Sequence, residues 1–217
     1  MGPAFFETAA VGRGLQSARF YNTVVKLGRL PDLIVPEVAF AGRSNAGKST
    51  AINKLCGRNR LAFASKTPGR TQALNYFAIG PDDSVEGFVV DTPGYGYAQA
   101  PEAVRQSWRP LAAEYLRTRD SLVGLVLVLD CRREITERDA DLLAWVPAHV
   151  PRLLLVTKTD KLGRAAQQQT FGRIQQQYQD LMPDIAASII MFSATSGAGL
   201  EATRRLIEEW FHAGAAP

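Results

Sequence analysis

The fold of this chain is decided by the stretch Gly42-Arg43-Ser44-Asn45-Ala46-Gly47-Lys48-Ser49, which lies between a predicted strand and a predicted helix. The apolar run 38–41 predicts the strand, and the helix is expected from Lys48 to Cys56. Glycines let such a loop curl until successive N–H groups face inward, and the helix N-terminus adds partial positive charge. We therefore predict a phosphate-binding loop in which Lys48 reaches the outer phosphates and the Ser49 hydroxyl ligates magnesium.

Composition is consistent with one domain that buries a substantial core. The chain has 217 residues, of which 46% are hydrophobic and 21% are charged, and this excludes a disordered or fibrous protein. Its two cysteines cannot form a disulfide framework or a four-thiolate zinc site. The longest apolar run, residues 122–129, is too short to span a bilayer. The N-terminal sequence does not have the pattern of a signal peptide. We expect a cytoplasmic monomer without a membrane partner.

Charge is distributed unevenly along the chain. The net charge is +4, and no acidic residue lies between Glu37 and Asp82. That interval holds seven basic residues: Arg43, Lys48, Lys54, Arg58, Arg60, Lys66 and Arg70. Such a run is either a solvated basic face or a surface kept free of carboxylates because phosphates bind there.

Apolar patterning predicts the architecture. Short runs rich in branched residues alternate with longer amphipathic runs, as in βαβ units. Strands are predicted at 38–41, 73–79, 86–90, 122–129, 153–156 and 188–192, and helices at 48–56, after Pro101, at 136–146, at 165–181 and near the C-terminus. We predict an α/β fold: a mostly parallel six-stranded sheet with one antiparallel edge strand and helices on both faces. We expect a single domain over residues 36–217, preceded by an extension, residues 1–35, to which no motif assigns a structure.

A second polar segment follows the strand that ends at Val90. Its sequence is Asp91-Thr92-Pro93-Gly94. Asp91 is expected to hold magnesium through water, and the Gly94 N–H to meet the terminal phosphate and release it after hydrolysis. The same four residues also form a common turn when they occur alone.

Two further segments follow the last two predicted strands and suit a purine base. In Thr157-Lys158-Thr159-Asp160, the Asp160 carboxylate can accept hydrogen bonds from the ring N–H and exocyclic amine of guanine, which adenine does not offer in that arrangement. The Lys158 stem would lie along the purine face. Backbone N–H groups of Phe192-Ser193-Ala194 could contact the guanine carbonyl. Ligands in open α/β sheets bind beyond the carboxyl ends of the strands, and every segment is expected there.

These segments resemble the EngB (YihA/YsxC) family of bacterial GTP-binding proteins, in the TrmE–Era branch of the Ras-like P-loop GTPases. The resemblance runs from about Pro36 to the C-terminus. Besides the segments already quoted, it rests on Lys66-Thr67-Pro68-Gly69-Arg70-Thr71 and on Tyr95-Gly96-Tyr97.

The resemblance implies further site residues and a cellular role. It places Gly69, Arg70 and Thr71 in the first switch, with Thr71 as the second protein hydroxyl on magnesium and Thr67 as the weaker candidate. Lys48, Thr71 and Gly94 become the expected catalytic set. It also implies binding of GTP and GDP, association with a precursor of the large ribosomal subunit, a role in its assembly, and a link to cell division and septation.

Four positions bear on how the resemblance applies here. Tyr95 follows Gly94 where a water-orienting Gln is common, so we expect slow intrinsic hydrolysis. Thr157 replaces the usual Asn of N-K-x-D and removes a bracing amide. Related GTPases with Asn at the position of Asn45 use potassium beside the phosphates, which makes potassium a second candidate cofactor. Tyr95 and Tyr97 are expected to move with the nucleotide or to meet a partner rather than to join the core.

Two other functions are compatible with parts of this pattern. A P-loop ATPase or kinase would use Lys48 and Ser49 but would leave Asp160 without a role. An RNA-binding protein with a vestigial nucleotide site would use the basic tract 58–70 together with Arg105, Arg109, Arg117 and Arg119. Competition between ATP and GTP separates the first alternative from a GTPase.

Overall fold

The computed structural model describes residues 14–63, 73–95 and 111–215. The strands are β1 (Arg19–Val24), β2 (Glu37–Gly42), β3 (Leu74–Ile79), β4 (Gly87–Asp91), β5 (Leu122–Asp130), β6 (Arg152–Thr157) and β7 (Ser188–Met191). The helices are α1 (Lys48–Leu55), α2 (residues 111–118), α3 (Glu137–Trp145), α4 (Arg164–Leu181) and α5 (Leu200–Gly214). Short 3-10 helices cover Gly14–Ser17, Leu27–Arg29 and Thr159–Lys161.

The strands form one sheet in the order β1-β3-β4-β2-β5-β6-β7. Strands β4, β2, β5, β6 and β7 are parallel, whereas β3 is antiparallel to both of its neighbours. The α/β class, the largely parallel sheet and the antiparallel strand at 74–79 agree with the sequence prediction.

The predicted strand count of six is wrong, because β1 makes the sheet seven-stranded. Strand β1 pairs with the outer side of β3, so the antiparallel strand is second from the edge rather than at it. Most β1 side chains are exposed, and its register shifts between Phe20 and Asn22. Val24 is the one fully buried side chain of β1, so the strand shows little apolar alternation, and this explains why the pattern missed it.

Helices cover both faces of the sheet. Alternate residues of β2 and β5 point to opposite faces, as the period of two requires. One core cluster packs with α1 and α5 and includes Val38, Phe40, Val126 and Val128. A second cluster, on the opposite face, packs with α2, α3 and α4 and includes Ala39, Ala41, Leu125, Leu127 and Leu129. Across the three described ranges, no helix is both long and apolar enough to cross a membrane.

A buried polar group ties the start of β2 to α2 and corrects one sequence expectation. The Glu37 side chain is fully buried and accepts hydrogen bonds from Arg119 Nε at 2.7 Å and Tyr115 Oη at 2.9 Å. Burial raises the pKa of Glu37, and contact with Arg119 only partly offsets that effect. Arg119 is therefore engaged inside the fold, and its place among the RNA-contacting arginines is wrong.

Candidate nucleotide-binding site

The predicted segments meet at one edge of the sheet. Strands β2, β4, β5 and β6 are parallel and end at Gly42, Asp91, Asp130 and Thr157 respectively. Because carboxyl ends of parallel strands lie on the same side, the phosphate, magnesium and base segments become neighbours. Segment Gly69–Thr71, with Thr67 and Tyr97, lies outside the described residues.

The loop between β2 and α1 has the form expected of a phosphate cradle. A Cβ on Gly42 would lie 2.7 Å from the Val128 carbonyl oxygen, so only glycine fits against β5. Gly47 has a φ of 96°, which L side chains rarely adopt, directly before α1 begins at Lys48. The N-terminal N–H groups of α1 and the loop backbone together provide an anion-binding arrangement.

Lys48 and Asp91 contact each other at the centre of this edge. The Lys48 Nζ forms an ion pair with Asp91 Oδ1, and the side chains are 11% and 6% exposed. Thr92, the next residue, is anchored to β2 because its N and Oγ1 both bond to the Phe40 carbonyl oxygen, at 3.0 and 2.9 Å. The phosphate-binding lysine and the magnesium-binding aspartate of the sequence prediction are thus direct neighbours.

The segment after Asp91 lies along the phosphate loop. The Ser44 N–H donates to the Tyr95 carbonyl at 2.9 Å, and the Tyr95 N–H to the Gly42 carbonyl at 3.3 Å. Tyr95 is only 2% exposed, and its hydroxyl donates to Asp139 Oδ1 at 2.5 Å. Burial, followed by the nearby Asp139 charge, raises the pKa of Tyr95 well above its usual value. The expectation that Tyr95 stays out of the core is therefore wrong.

The loop is joined to the end of β6 by two side chains. Thr157 Oγ1 lies 2.5 Å from the Ala46 carbonyl oxygen, and Lys158 Nζ donates to the Asn45 carbonyl at 2.7 Å. Asn45 and Lys158 are the two non-glycine residues with positive φ in the described ranges, at 63° and 62°. Thr157 thus supplies a brace of its own where the wider superfamily has Asn.

Asp160 is held in place by the last predicted segment. The Ser193 hydroxyl donates to Asp160 Oδ1 at 2.7 Å, and this bond is the main cause that lowers the pKa of Asp160. The Thr159 hydroxyl donates to the Phe192 carbonyl at 3.0 Å and fixes the two segments to each other. The Asp160 carboxylate therefore stays ionised to a lower pH than an ordinary aspartate does, and an ionised carboxylate is the form that can accept from guanine.

Sequence reasoning missed two carboxylates beside these segments. Asp130 ends β5, accepts from Lys158 Nζ at 2.8 Å, and has its pKa held far below the usual range by Arg132 and Lys158. Asp130 could have been predicted from the sequence, because ligand-binding residues in open α/β sheets lie at the carboxyl ends of strands. Asp139 is fully buried against Arg43 and Tyr95. Its sequence context indicates only a helix cap, so no sequence signal pointed to these contacts.

Comparison with known proteins identifies the family. A family model described as 50S ribosome-binding GTPase matches residues 37–158. The probable GTP-binding protein EngB of Burkholderia ambifaria is 48% identical over 200 residues, which cover 90% of this chain and 91% of that protein. The chain belongs to the EngB family of GTP-binding proteins. Its relative in Burkholderia pseudomallei strain 1106a is 47% identical over 206 residues, with coverage of 93% and 94%.

Solved structures agree with the fold of this EngB-family chain. A crystal structure of a probable GTP-binding protein EngB matches with a TM-score of 0.61 and 23% identity, covering 81% of this chain and 98% of that chain. Era in complex with MgGDPNP and 16S ribosomal RNA matches with a TM-score of 0.61 and 22% identity, covering 81% of this chain and 56% of Era. The protein is a GTPase, and the nucleotides it binds are GTP and GDP.

Removal of the Ser193 hydroxyl tests how Asp160 is held. In Ser193→Ala we expect GDP affinity at pH 7 to fall about fivefold, the size of one lost hydrogen bond. The pKa of Asp160, followed by carboxyl ¹³C NMR, should rise toward the ordinary aspartate range, so the variant loses GDP at a higher pH than wild type. Ser188→Ala, an exposed serine on β7, is the control. An unshifted Asp160 titration in Ser193→Ala would contradict this role.

Proposed function

We propose that this GTPase is a slow, nucleotide-gated switch that acts in assembly of the large ribosomal subunit. One observation carries the nucleotide part: the phosphate loop, the Asp91–Gly94 segment and the segment 157–160 lie on the same sheet edge. Direct hydrogen bonds join the loop to Asp91, to Thr157 and to Lys158. A vestigial site is disfavoured because the Lys48–Asp91 ion pair and the Ser193–Asp160 bond are both intact.

The proposed binding site has a phosphate half and a base half. The loop 42–49 and segments 69–71 and 91–94 bind the phosphates, with Lys48, Thr71 and Gly94 serving hydrolysis. Segments 157–160 and 192–194 bind guanine, with Asp160 accepting from the base. Adenine would leave that carboxylate without donors, and this favours a GTPase over an ATPase or kinase.

Magnesium fits the donor set of the phosphate half. Ser49 and Asp91 supply a hydroxyl and a carboxylate, the hard oxygen ligands that magnesium prefers. Lys48, the residue before Ser49, forms an ion pair with Asp91, so the start of α1 faces the end of β4. We propose Ser49 and Thr71 as direct ligands and Asp91 as a ligand through water. The bound ion would neutralise charge on the phosphates.

Slow intrinsic hydrolysis is supported by the position of Tyr95. A water-orienting side chain must face the terminal phosphate, whereas the Tyr95 hydroxyl is buried and donates to Asp139. The side chain that follows Gly94 is therefore engaged elsewhere. GTP would persist until a partner or an ion completes the site, which suits a timer.

The ribosomal part of the proposal rests on the family and on surface charge. The matching family model is described as a 50S ribosome-binding GTPase, and the structural neighbour Era was crystallised with 16S ribosomal RNA. Lys54, Arg58 and Arg60 are exposed near α1 and suit contact with phosphates. We propose that the switch acts in the cytoplasm as a monomer, and that cell division and septation depend on it through ribosome supply.

We also propose a division of the chain into a G domain and an N-terminal extension. Residues 36–217 form the G domain, and residues 1–35 precede it. The β1 strand of the extension is hydrogen-bonded to β3, so the extension adds an edge strand to the G-domain sheet.

Base selection is tested by exchanging one atom of Asp160. Asp160→Asn should lose most of its GDP affinity and gain affinity for xanthosine diphosphate, because the extra carbonyl of xanthine accepts from the new amide. Titration of GDP, xanthosine diphosphate and ADP against both proteins measures this. Asp184→Asn, on an exposed turn, is the control. ADP binding as tight as GDP in wild type would contradict the proposal.

Potassium dependence tests the role of Asn45. We expect GTP hydrolysis to slow severalfold when sodium replaces potassium at constant ionic strength. Asn45→Gly removes the amide yet tolerates the φ of 63°, so it should remove this difference. Phosphate release in the two salts is the measurement, and equal wild-type rates would eliminate potassium as a cofactor.

Ribosome docking is tested by salt dependence. Cosedimentation with large-subunit precursors in a non-hydrolysable GTP analogue should weaken steeply with salt. Replacing Arg58 and Arg60 with Ala should reduce the slope of log affinity against log salt by about 1 to 2. The control replaces Arg138 and Arg164, which are equally exposed on the other face of the sheet. A flat wild-type salt response would exclude docking on RNA through these charges.

A further inference from the structure

Asp139 is a fully buried carboxylate that joins three elements of the molecule. Its Oδ1 accepts from the Tyr95 hydroxyl at 2.5 Å and from Arg43 Nε at 3.3 Å. Its Oδ2 accepts from Arg43 Nη2 and from the Thr136 N–H, the latter at 2.8 Å. One side chain at the start of α3 thus binds the phosphate loop and the residue after Gly94.

The two residues that Asp139 holds are paired with each other through the backbone. Arg43 and Tyr95 form a parallel bridge, flanked by the hydrogen bonds from Ser44 to Tyr95 and from Tyr95 to Gly42. The backbone bonds fix the two strands of this bridge, and Asp139 fixes both of its side chains. A shift of the Gly94–Tyr95 segment would therefore break contacts to Asp139.

Electrostatics makes this arrangement costly to disturb. Asp139 has no solvent-exposed side-chain area, and Arg43 is 27% exposed. A buried carboxylate that loses a charged donor is left with an uncompensated desolvation cost. Asp139 can therefore separate from Arg43 only if other donors take the place of the guanidinium group. We call the contacts of Asp139 with Arg43 and Tyr95 the clamp. A further hydrogen bond strengthens it, because Arg43 Nη2 also donates to the Thr136 hydroxyl at 2.7 Å.

We propose that Asp139 is a positioning residue for GTP hydrolysis: through Arg43 and Tyr95 it holds Gly94 in register with the phosphate loop. Its side chain contacts Arg43, Tyr95 and Thr136, so its effect on the nucleotide would pass through these residues. The inference rests on the proposed function, in which the Gly94 N–H meets the terminal phosphate. GDP lacks that phosphate, so loss of the clamp should affect GTP binding and turnover and leave GDP binding nearly unchanged.

A purely structural role is the competing explanation, since Asp139 also accepts from the Thr136 N–H at the start of α3. Asp139→Asn separates the two roles. An amide oxygen in the place of Oδ2 can keep the bonds from the Thr136 N–H and Arg43 Nη2. The amide nitrogen in the place of Oδ1 cannot accept from the Tyr95 hydroxyl or from Arg43 Nε. A capping role predicts near-normal activity in this variant, whereas a positioning role predicts slow hydrolysis by a folded protein.

The test measures single-turnover hydrolysis, GDP affinity and affinity for guanosine imidotriphosphate in each variant. For Asp139→Asn we expect hydrolysis about tenfold slower, the imidotriphosphate bound several-fold more weakly, and GDP affinity within about threefold of wild type. Tyr95→Phe should slow hydrolysis by a smaller factor. The double variant should be no slower than Asp139→Asn alone, because both changes break one clamp.

Controls distinguish failure of this inference from failure of the proposed site. Glu137→Gln removes an exposed carboxylate from the same helical turn and should stay within twofold of wild type. Gly94→Ala tests the site itself, because it should weaken the imidotriphosphate more than GDP. If Gly94→Ala weakens the imidotriphosphate as expected but Asp139→Asn hydrolyses GTP at the wild-type rate, the positioning role is overturned. It is also overturned if the fold-reductions in rate of Asp139→Asn and Tyr95→Phe multiply in the double variant. If Gly94→Ala changes nothing, the proposed phosphate placement fails instead.

Discussion

The Lys158 ammonium group makes the contact on which the rest of the candidate site depends, because it connects the phosphate loop to the ends of β5 and β6. It donates to the Asn45 carbonyl of the phosphate loop and pairs with Asp130 at the end of β5. Asn45 and Lys158 both adopt left-handed backbone conformations, and such strain persists only where surrounding contacts over-determine it. Because Asp160 lies two residues after Lys158, in the 3-10 helix Thr159–Lys161, this link also holds the Asp160 segment close to the phosphate loop.

Four carboxylates form the other ion pairs and hydrogen bonds that hold the site together, and each has a different environment. Asp91 pairs with Lys48 at the phosphate centre, Asp130 orients Lys158, and Asp160 is held ionised by Ser193. Asp139 is buried and joins the phosphate loop to α3. The Tyr95 hydroxyl belongs to this last contact, so the side chain after Gly94 is packed against the start of α3.

Much of the fold could be predicted from the sequence, for identifiable physical reasons. Strands β2, β5 and β6 are buried on both faces, so they appear as near-continuous apolar runs within one residue of their true bounds. Strand β1 was missed because Val24 is its one fully buried side chain. Tyr95 was misjudged because a Gly-rich neighbourhood indicates a loop, whereas its burial depends on α3, whose contact Asp139 is 44 residues away.

The sequence alone determined the local chemistry: a glycine-lined loop before a helix, a carboxylate after each of two strands, and thus the binding of phosphate and guanine. These properties follow from short-range spacing, which a one-dimensional pattern records. Only the tertiary structure decided which side chains support that chemistry. Arg43 meets Asp139 across 96 positions of chain, and Thr157 meets Ala46 across 111, because parallel strands bring distant ends to one edge. Such contacts depend on strand order, which local patterning does not encode.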